Sequence, residues 1–166
     1  MDEALPWISL GIALFALTIN GLTFRDRRRQ DRRDLFLKMH ERLIDQDLQR
    51  GRRLLYQHIH DEGSARRLRM SPAEADAEIY QAINRALAMF DVFSMYVEKG
   101  YIDRAEALQE WGHTLARAFQ QAQPFIADRD NNQTWLSWPN LRSFGQEAVR
   151  WHEERAQSPA KVTQEG

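Results

Sequence analysis

The sequence predicts an all-α protein: a single N-terminal transmembrane helix followed by a cytoplasmic helical bundle of about four helices. Three observations carry that expectation. Residues Leu5 to Phe24 run for twenty positions without a charged side chain, and six arginines follow within the next nine. Beyond them, apolar residues recur at the three- and four-residue spacing of a helix face. No stretch alternates apolar and polar residues for long enough to make a strand. The chain divides accordingly into an anchor over 1–24, a helical domain over 25–157 and a disordered tail over 158–166, where almost nothing is available to bury.

A helix the length of the uncharged run spans about 30 Å, the hydrocarbon thickness of a bilayer. Pro6 suits a first helical turn, and Trp7 lies where an interfacial aromatic belt falls. Arg25, Arg27, Arg28, Arg29, Arg32 and Arg33 flank the far end, whereas the near end carries Asp2 and Glu3. Cationic flanks stay cytoplasmic, so the N-terminus is expected outside the inner membrane and the C-terminal domain inside the cell. The same arginines can meet anionic headgroups at about 1 kcal/mol each. Asp26, Asp31 and Asp34 offset part of that attraction. A cleaved signal peptide needs a basic leader and a small-residue cleavage site; here the leader is acidic and arginines stand at the cleavage position. A buried core helix rarely runs this long without charge. Ser9, Ala13, Ala16 and Asn20 share one face, where small residues let membrane helices approach, so a homo-oligomer is a candidate assembly.

The anchor leaves roughly 140 residues, a normal size for one domain. The 23 basic and 24 acidic residues nearly cancel. That balance argues against a nucleic-acid partner, which requires a net basic face to displace counterions. The chain has no cysteine, which excludes disulfides, cysteine zinc sites and thiol nucleophiles.

The first soluble helix places Leu37, Ile44, Leu48, Leu55 and Ile59 on one stripe, with Leu35, Met39 and Leu54 beside it. No proline interrupts from Arg25 to Glu62, so the membrane helix is expected to continue into it as one rod. Gln46, Asp47 and Arg50 break any heptad, which argues against a long coiled coil. Gly51 falls on the stripe and permits close packing or a slight bend. Gly63 is expected to end this helix, with Ser64 to Met70 as an arginine-rich loop. Ser71-Pro72-Ala73-Glu74 combines an N-cap, a first-turn proline and a capping-box glutamate. The helix it opens turns Ile79, Ile83, Leu87, Phe90, Phe93 and Val97 inward and stops at Gly100. Asp103 and Glu106 open the next, which buries Leu108, Trp111, Leu115, Phe119 and Ala122. The short turn between these two helices makes them antiparallel neighbours. Asp128 to Asn132 reads as loop. A last helix begins near Trp138 or Pro139 and shows Leu141, Phe144, Ala148 and Trp151 to the core.

Several short segments carry a family resemblance. They are Arg53-Leu54-Leu55-Tyr56, Asn84 with Phe90-Asp91, the turn Gly100-Tyr101-Ile102-Asp103, Trp111-Gly112, Phe125-Ile126, Arg129, Trp138 and Phe144. With these residues, the stretch from about Arg50 to Trp151 resembles a bacterial family catalogued as domain of unknown function 4760. The resemblance implies one N-terminal membrane helix and a small cytoplasmic helical domain. It implies no established activity.

Asn84 and Asp91 lie seven positions apart, two helical turns, and share a face with Leu87 between them. A carboxylate on such a face needs a partner or it takes up a proton, and Arg53 and Arg129 are the candidates. Arg53, Asn84, Asp91 and Arg129 thus form the candidate binding cluster: a small ligand pocket, or a hydrogen-bond network that fixes helix register. No Ser or Thr stands in a glycine-rich turn and no phosphate-cradling loop is present, so no catalytic residue and no cofactor are assigned. Among the five histidines, His58 and His60 point to different sides of a helix, and His113 and His152 have no ligand at i, i+4 spacing. Glu110-Trp111-Gly112-His113 gives one Glu-x-x-His, whereas a di-iron bundle needs two and two further glutamates, so no metal is assigned. Trp135, Trp138 and Trp151, with Phe144, are expected to fill the end of the bundle; left exposed, they make a partner patch or touch the bilayer. Arg66-Arg67-Leu68-Arg69 reads as a solvated basic loop.

The function expected from these features is a membrane-anchored interaction or regulatory module without catalytic activity. Its partners are the lipid bilayer and an unidentified protein. The alternatives are a small-ligand sensor or enzyme built on the polar cluster, and a membrane-perturbing defence effector. The effector ranks lower because the apolar helix lacks the polar stripe of a channel.

Overall fold

The computed structural model describes residues 30–157, and the regular structure there is entirely helical. Helix α1 covers residues 30–43, α2 Gln46–His58, α3 Glu62–Met70, α4 Glu74–Glu98, α5 Arg104–Asp130 and α6 Pro139–Gln157. The anchor Leu5–Phe24, the arginines at 25, 27, 28 and 29, and the tail over 158–166 lie outside the described residues. Arg32 and Arg33 stand exposed on α1. Among the described residues no helix is long and apolar enough to cross a membrane.

The expected rod up to Glu62 is broken twice, so the described bundle has six helices rather than about four. Both breaks are made by aspartates. Asp45 leaves the helical backbone and its side chain accepts from the Asp47 amide at 2.9 Å, starting α2 afresh. Ile59 then turns extended, and its carbonyl accepts from the Gln121 side chain of α5. Asp61 and Ser64 complete a reciprocal cap: the Ser64 amide donates to Asp61 at 2.6 Å, and the Ser64 hydroxyl accepts from the Asp61 amide at 3.1 Å. Gly63 therefore lies inside the first turn of α3, and the expected arginine-rich loop is helix. The interruption also changes which face of α1 is buried. Phe36, Met39 and Leu43 enter the core, while Leu37 and Ile44 of the expected stripe are 52% and 46% exposed.

Ser71, expected to cap α4, instead ends α3 in an extended conformation, as a residue before proline prefers. Helix α4 starts from Ala73 without a side-chain cap. Its inward residues are those expected, except that Ile79 is only half-buried. Gly100, at φ +68°, turns the chain out of α4, and the Tyr101 amide reaches back to the Tyr96 carbonyl at 2.9 Å. Asp103 caps α5 by accepting from Glu106 at 3.0 Å. Helix α5 continues through Asp128, Arg129 and Asp130, residues that read as loop.

The packing order is not the chain order. Helices α4 and α5 touch each other sparingly, and α6 lies against both. Helix α2 covers another face of α4. At that crossing Gly51 sits so close to α4 that a Cβ would stand 2.4 Å from the Ala82 carbonyl oxygen and 2.8 Å from the Ala86 Cβ. Between α5 and α6 the same device appears twice, with Trp151 of α6 over Gly112 and Phe119 of α5 over Gly145. One continuous core results, with Phe90, Phe93, Phe125 and Phe144 fully buried.

The contact at Gly51 involves backbone, which cannot step aside as a flexible side chain does. Gly51→Ala is expected to destabilise the domain by about 1–3 kcal/mol despite the better helix propensity of alanine. Chemical denaturation followed by circular dichroism checks this.

Candidate functional site

The four candidate binding residues separate into two places. Asn84 and Asp91 project from α4 toward the start of α6 and the end of α5; Arg53 lies on the exposed side of α2.

Asp91 has a partner, but not an arginine. One carboxylate oxygen accepts from the backbone amides of Asn140 and Leu141, each at 2.9 Å, and the other from the Asn140 side chain at 3.2 Å. Those amides belong to the second and third residues of α6, two of the donors that a helix N-terminus leaves unsatisfied. A capping side chain normally comes from the residue just before the helix. Here that residue is Trp138, which has no acceptor, and α4 supplies the carboxylate instead. The negative charge also faces the positive end of the α6 dipole.

Arg129 pairs with Asn84, its Nη1 donating to the Asn84 Oδ1. Its guanidinium lies 4.8 Å from the centroid of the Trp138 indole. The indole stacks on Phe125 at 6.0 Å and 26°, and Phe125 meets Tyr80 at 4.8 Å. Trp138 itself holds φ 48°, a left-handed conformation rare for a bulky residue. The expectation that Arg53 or Arg129 neutralises Asp91 is thus corrected: an uncapped helix end meets the carboxylate's demand for donors.

Two further aspartates at the same end of the bundle escaped the sequence reading. Asp128 is buried and receives both Nε and Nη2 of Arg69, at 2.8 and 3.3 Å, with Arg66 at 3.8 Å. That hydrogen bond holds the Arg69 guanidinium above its ordinary range, against a smaller opposing effect of burial. The basic stretch 66–69 is therefore partly a structural clamp of α3 onto α5. Asp130 accepts from the Ser137 amide at 2.9 Å and from Arg142, fastening the loop that leads to Trp138. Burial pushes the Asp130 carboxyl up, but the Ser137 amide and hydroxyl and the Arg142 charge together hold it below its ordinary value.

The other residues singled out fall as follows. Trp138 and Phe144 are core, Trp151 is half-buried, and Trp135 with Leu136 is 69% and 64% exposed. The His113 and His152 rings meet edge to face at 4.7 Å. Among the described residues no group of three or more metal-ligating side chains converges. Arg53 lines a groove between α2 and α5 with Tyr56, His113 and Arg117.

Two expectations follow. Asp91→Ala leaves two helix amides without their acceptor and should cost about 1–2 kcal/mol, with Asp91→Asn, which keeps an oxygen acceptor, recovering about half; urea denaturation reads both. For pH, the Asp61 carboxyl is also lowered, by the Ser64 amide and hydroxyl. Folding lowers both Asp61 and Asp130, so their contribution is complete above the ordinary aspartate value of 3.8 and is lost as pH falls through their folded values. Urea midpoints should hold from neutrality to about pH 5 and drop below about pH 4, and Asp130→Asn should flatten that drop.

Comparison with known proteins adds one match. The family described as "Domain of unknown function (DUF4760)" matches residues 7–138. No curated protein and no solved structure matches the chain. The matched segment begins earlier than the resemblance read from Arg50 onward and ends before α6, so Phe144 and Trp151 lie outside it. It takes in most of the chain, including α1 to α5 and the cluster residues Arg53, Asn84, Asp91 and Arg129. The chain belongs to the DUF4760 family.

Proposed function

We propose that this chain is a single-pass inner-membrane protein whose helical domain acts at the cytoplasmic face by docking a protein partner, without chemistry of its own. The observation that carries this reading is the uncharged run from Leu5 to Phe24 with six arginines directly behind it. The family match supports it by including residues 7–24 with the domain rather than starting after them.

The disposition of the polar cluster also favours docking over catalysis. Asp91 is engaged by the amides of α6, and Arg129 by Asn84 and the Trp138 ring. Groups held this way fix helix positions: both Asp91 oxygens are engaged, and Arg129 is tied to Asn84. Apolar side chains for a partner are present on the outer faces: Leu37 on α1, Ile44 in the turn that follows it, and Trp135 and Leu136 in the loop before α6. An exposed tryptophan beside polar residues is a common anchor of protein-docking surfaces.

After detergent-free lysis and ultracentrifugation, the full chain should pellet with membranes and resist carbonate extraction. Protease added to intact spheroplasts should leave the domain uncut. Recovery of the chain in the supernatant, or cleavage of the domain from outside, contradicts the reading. Crosslinking mass spectrometry in native membranes should place partner crosslinks on α1 or on the 131–138 loop.

A further inference from the structure

The groove between α2 and α5 gathers positive charge without any compensating carboxylate. Arg52, Arg53 and Tyr56 line it from α2, and His113, Thr114 and Arg117 from α5, around an open volume of about 280 Å³. The residues come from successive turns of each helix, so two packed helical faces build the groove, with no mobile loop involved. Two larger grooves on the surface differ in kind. One includes Asp76 beside Arg67, and the other sets Asp45 and Asp47 against Arg42 and Arg85. The α2–α5 groove, which Gln49 also lines, has cations and neutral polar groups but no carboxylate.

Among the described residues most arginines take part in no ion pair, and those of this groove differ in that three line one pocket with no carboxylate in it. Arg69, Arg104 and Arg142 each bind a carboxylate. Among the described residues, Arg52, Arg53 and Arg117 take part in no ion pair, although Arg52 is half-buried. Aromatic rings hold two of them in place: Arg52 lies 5.9 Å from the centroids of both Phe90 and Trp111, and Arg117 lies 4.6 Å from that of Tyr56. A cation over a ring face needs no N–H donor for the contact, so the hydrogen-bonding capacity of these guanidiniums stays available. Burial pushes Arg52 below its ordinary range and the neighbouring charge of Arg53 pushes the same way, Tyr56 alone opposing.

We infer that this groove is a binding site for a phosphate-bearing ligand, held by Arg52, Arg53 and Arg117 with the Tyr56 and Thr114 hydroxyls as further donors. Guanidinium forks match phosphate oxygens in pairs, and hydroxyls complete the ring of donors around a tetrahedral anion. The volume is at the lower edge of small-molecule sites, which suits one phosphate group or a diphosphate on a small body and not a dinucleotide. The phosphate can come from a soluble metabolite or from a lipid headgroup. The inference does not depend on the docking reading above, because it rests on the described residues alone.

The test uses the full chain in a non-ionic detergent at low ionic strength. Calorimetric titration with inorganic pyrophosphate probes the soluble source, and titration with short-chain phosphatidic acid probes the headgroup, with short-chain diacylglycerol as the phosphate-free comparison. Saturable binding is expected for one or both anions, weakening as salt is added. R53Q and R117Q, which alter exposed side chains, should each weaken it about tenfold or more. The double variant R85Q/R150Q, which removes twice the charge of either groove variant from exposed positions outside the groove, should leave it unchanged. Circular dichroism verifies that each variant keeps its helix. Tighter binding of pyrophosphate assigns a soluble ligand; tighter binding of phosphatidic acid assigns a headgroup. No saturable binding of either anion at millimolar concentration overturns the inference, as does equal weakening by the groove and control variants.

Discussion

The bonds from the leading amides of α6 to the Asp91 carboxylate on α4 fix where the last helix sits, and much of the bundle follows from that placement. Helices α4 and α5 make little contact with each other, so α6, packed against both, is what holds them as one body. Its approach is constrained from three sides. Asp91 fixes its N-terminus, Asp130 fixes the Ser137 amide just ahead of it, and the Trp138 ring lies between Arg129 and Phe125. The left-handed backbone of Trp138, a conformation costing about 1–3 kcal/mol, persists because those contacts over-determine it. The turn it makes delivers Pro139 into the first position of α6, where the missing amide is harmless and the next two amides meet Asp91.

How far the sequence discloses this is uneven, and the unevenness has a physical origin. That Asp91 needs donors follows from its place beside Leu87 on an otherwise apolar face, and the structure meets that need. Which donors meet it does not follow, because a carboxylate is satisfied equally by guanidinium or by backbone amide. The complementary signal lay at Trp138-Pro139, a helix start with no side chain able to cap it. A missing cap in one helix and an unpartnered carboxylate in another are each visible locally. Their pairing across about fifty residues is set only by packing. Arg69 and Asp128 repeat the pattern, one in a stretch that looks solvated and the other in a stretch that looks like loop.

The breaks in the N-terminal half are hard to see for the opposite reason, a local effect masked by a longer pattern. The apolar stripe from Leu37 to Ile59 suggests one rod, yet Asp45 and Asp61 each offer the backbone an alternative hydrogen bond and a fresh start. Each restart rotates the following face relative to the one before. Phe36 and Leu43, with Met39 from beside the stripe, are therefore inside in place of Leu37 and Ile44. Hydrophobic periodicity located the core of α4, α5 and α6 well, because those helices run uninterrupted and their buried faces keep a single phase.

Arg53 was grouped with Asn84, Asp91 and Arg129 because a buried carboxylate calls for a cation, yet it stands on the other flank of α2. A chain whose charges sum to −1 gives no hint of a cationic groove. The sum conceals how the carboxylates are distributed. Asp128 and Asp130 answer arginines of α3 and α6, Glu98 and Glu147 answer Arg104, and Asp91 answers a helix end. The α2–α5 groove has no such acid in its lining. Its arginines are tolerated there because Phe90, Trp111 and Tyr56 present ring faces to them, an attraction that requires no neutralising group. Aromatic support holds Arg52 and Arg117 at the groove beside Arg53 while leaving their charge uncancelled, and uncancelled charge on a preformed surface is the physical condition for recognising an anion.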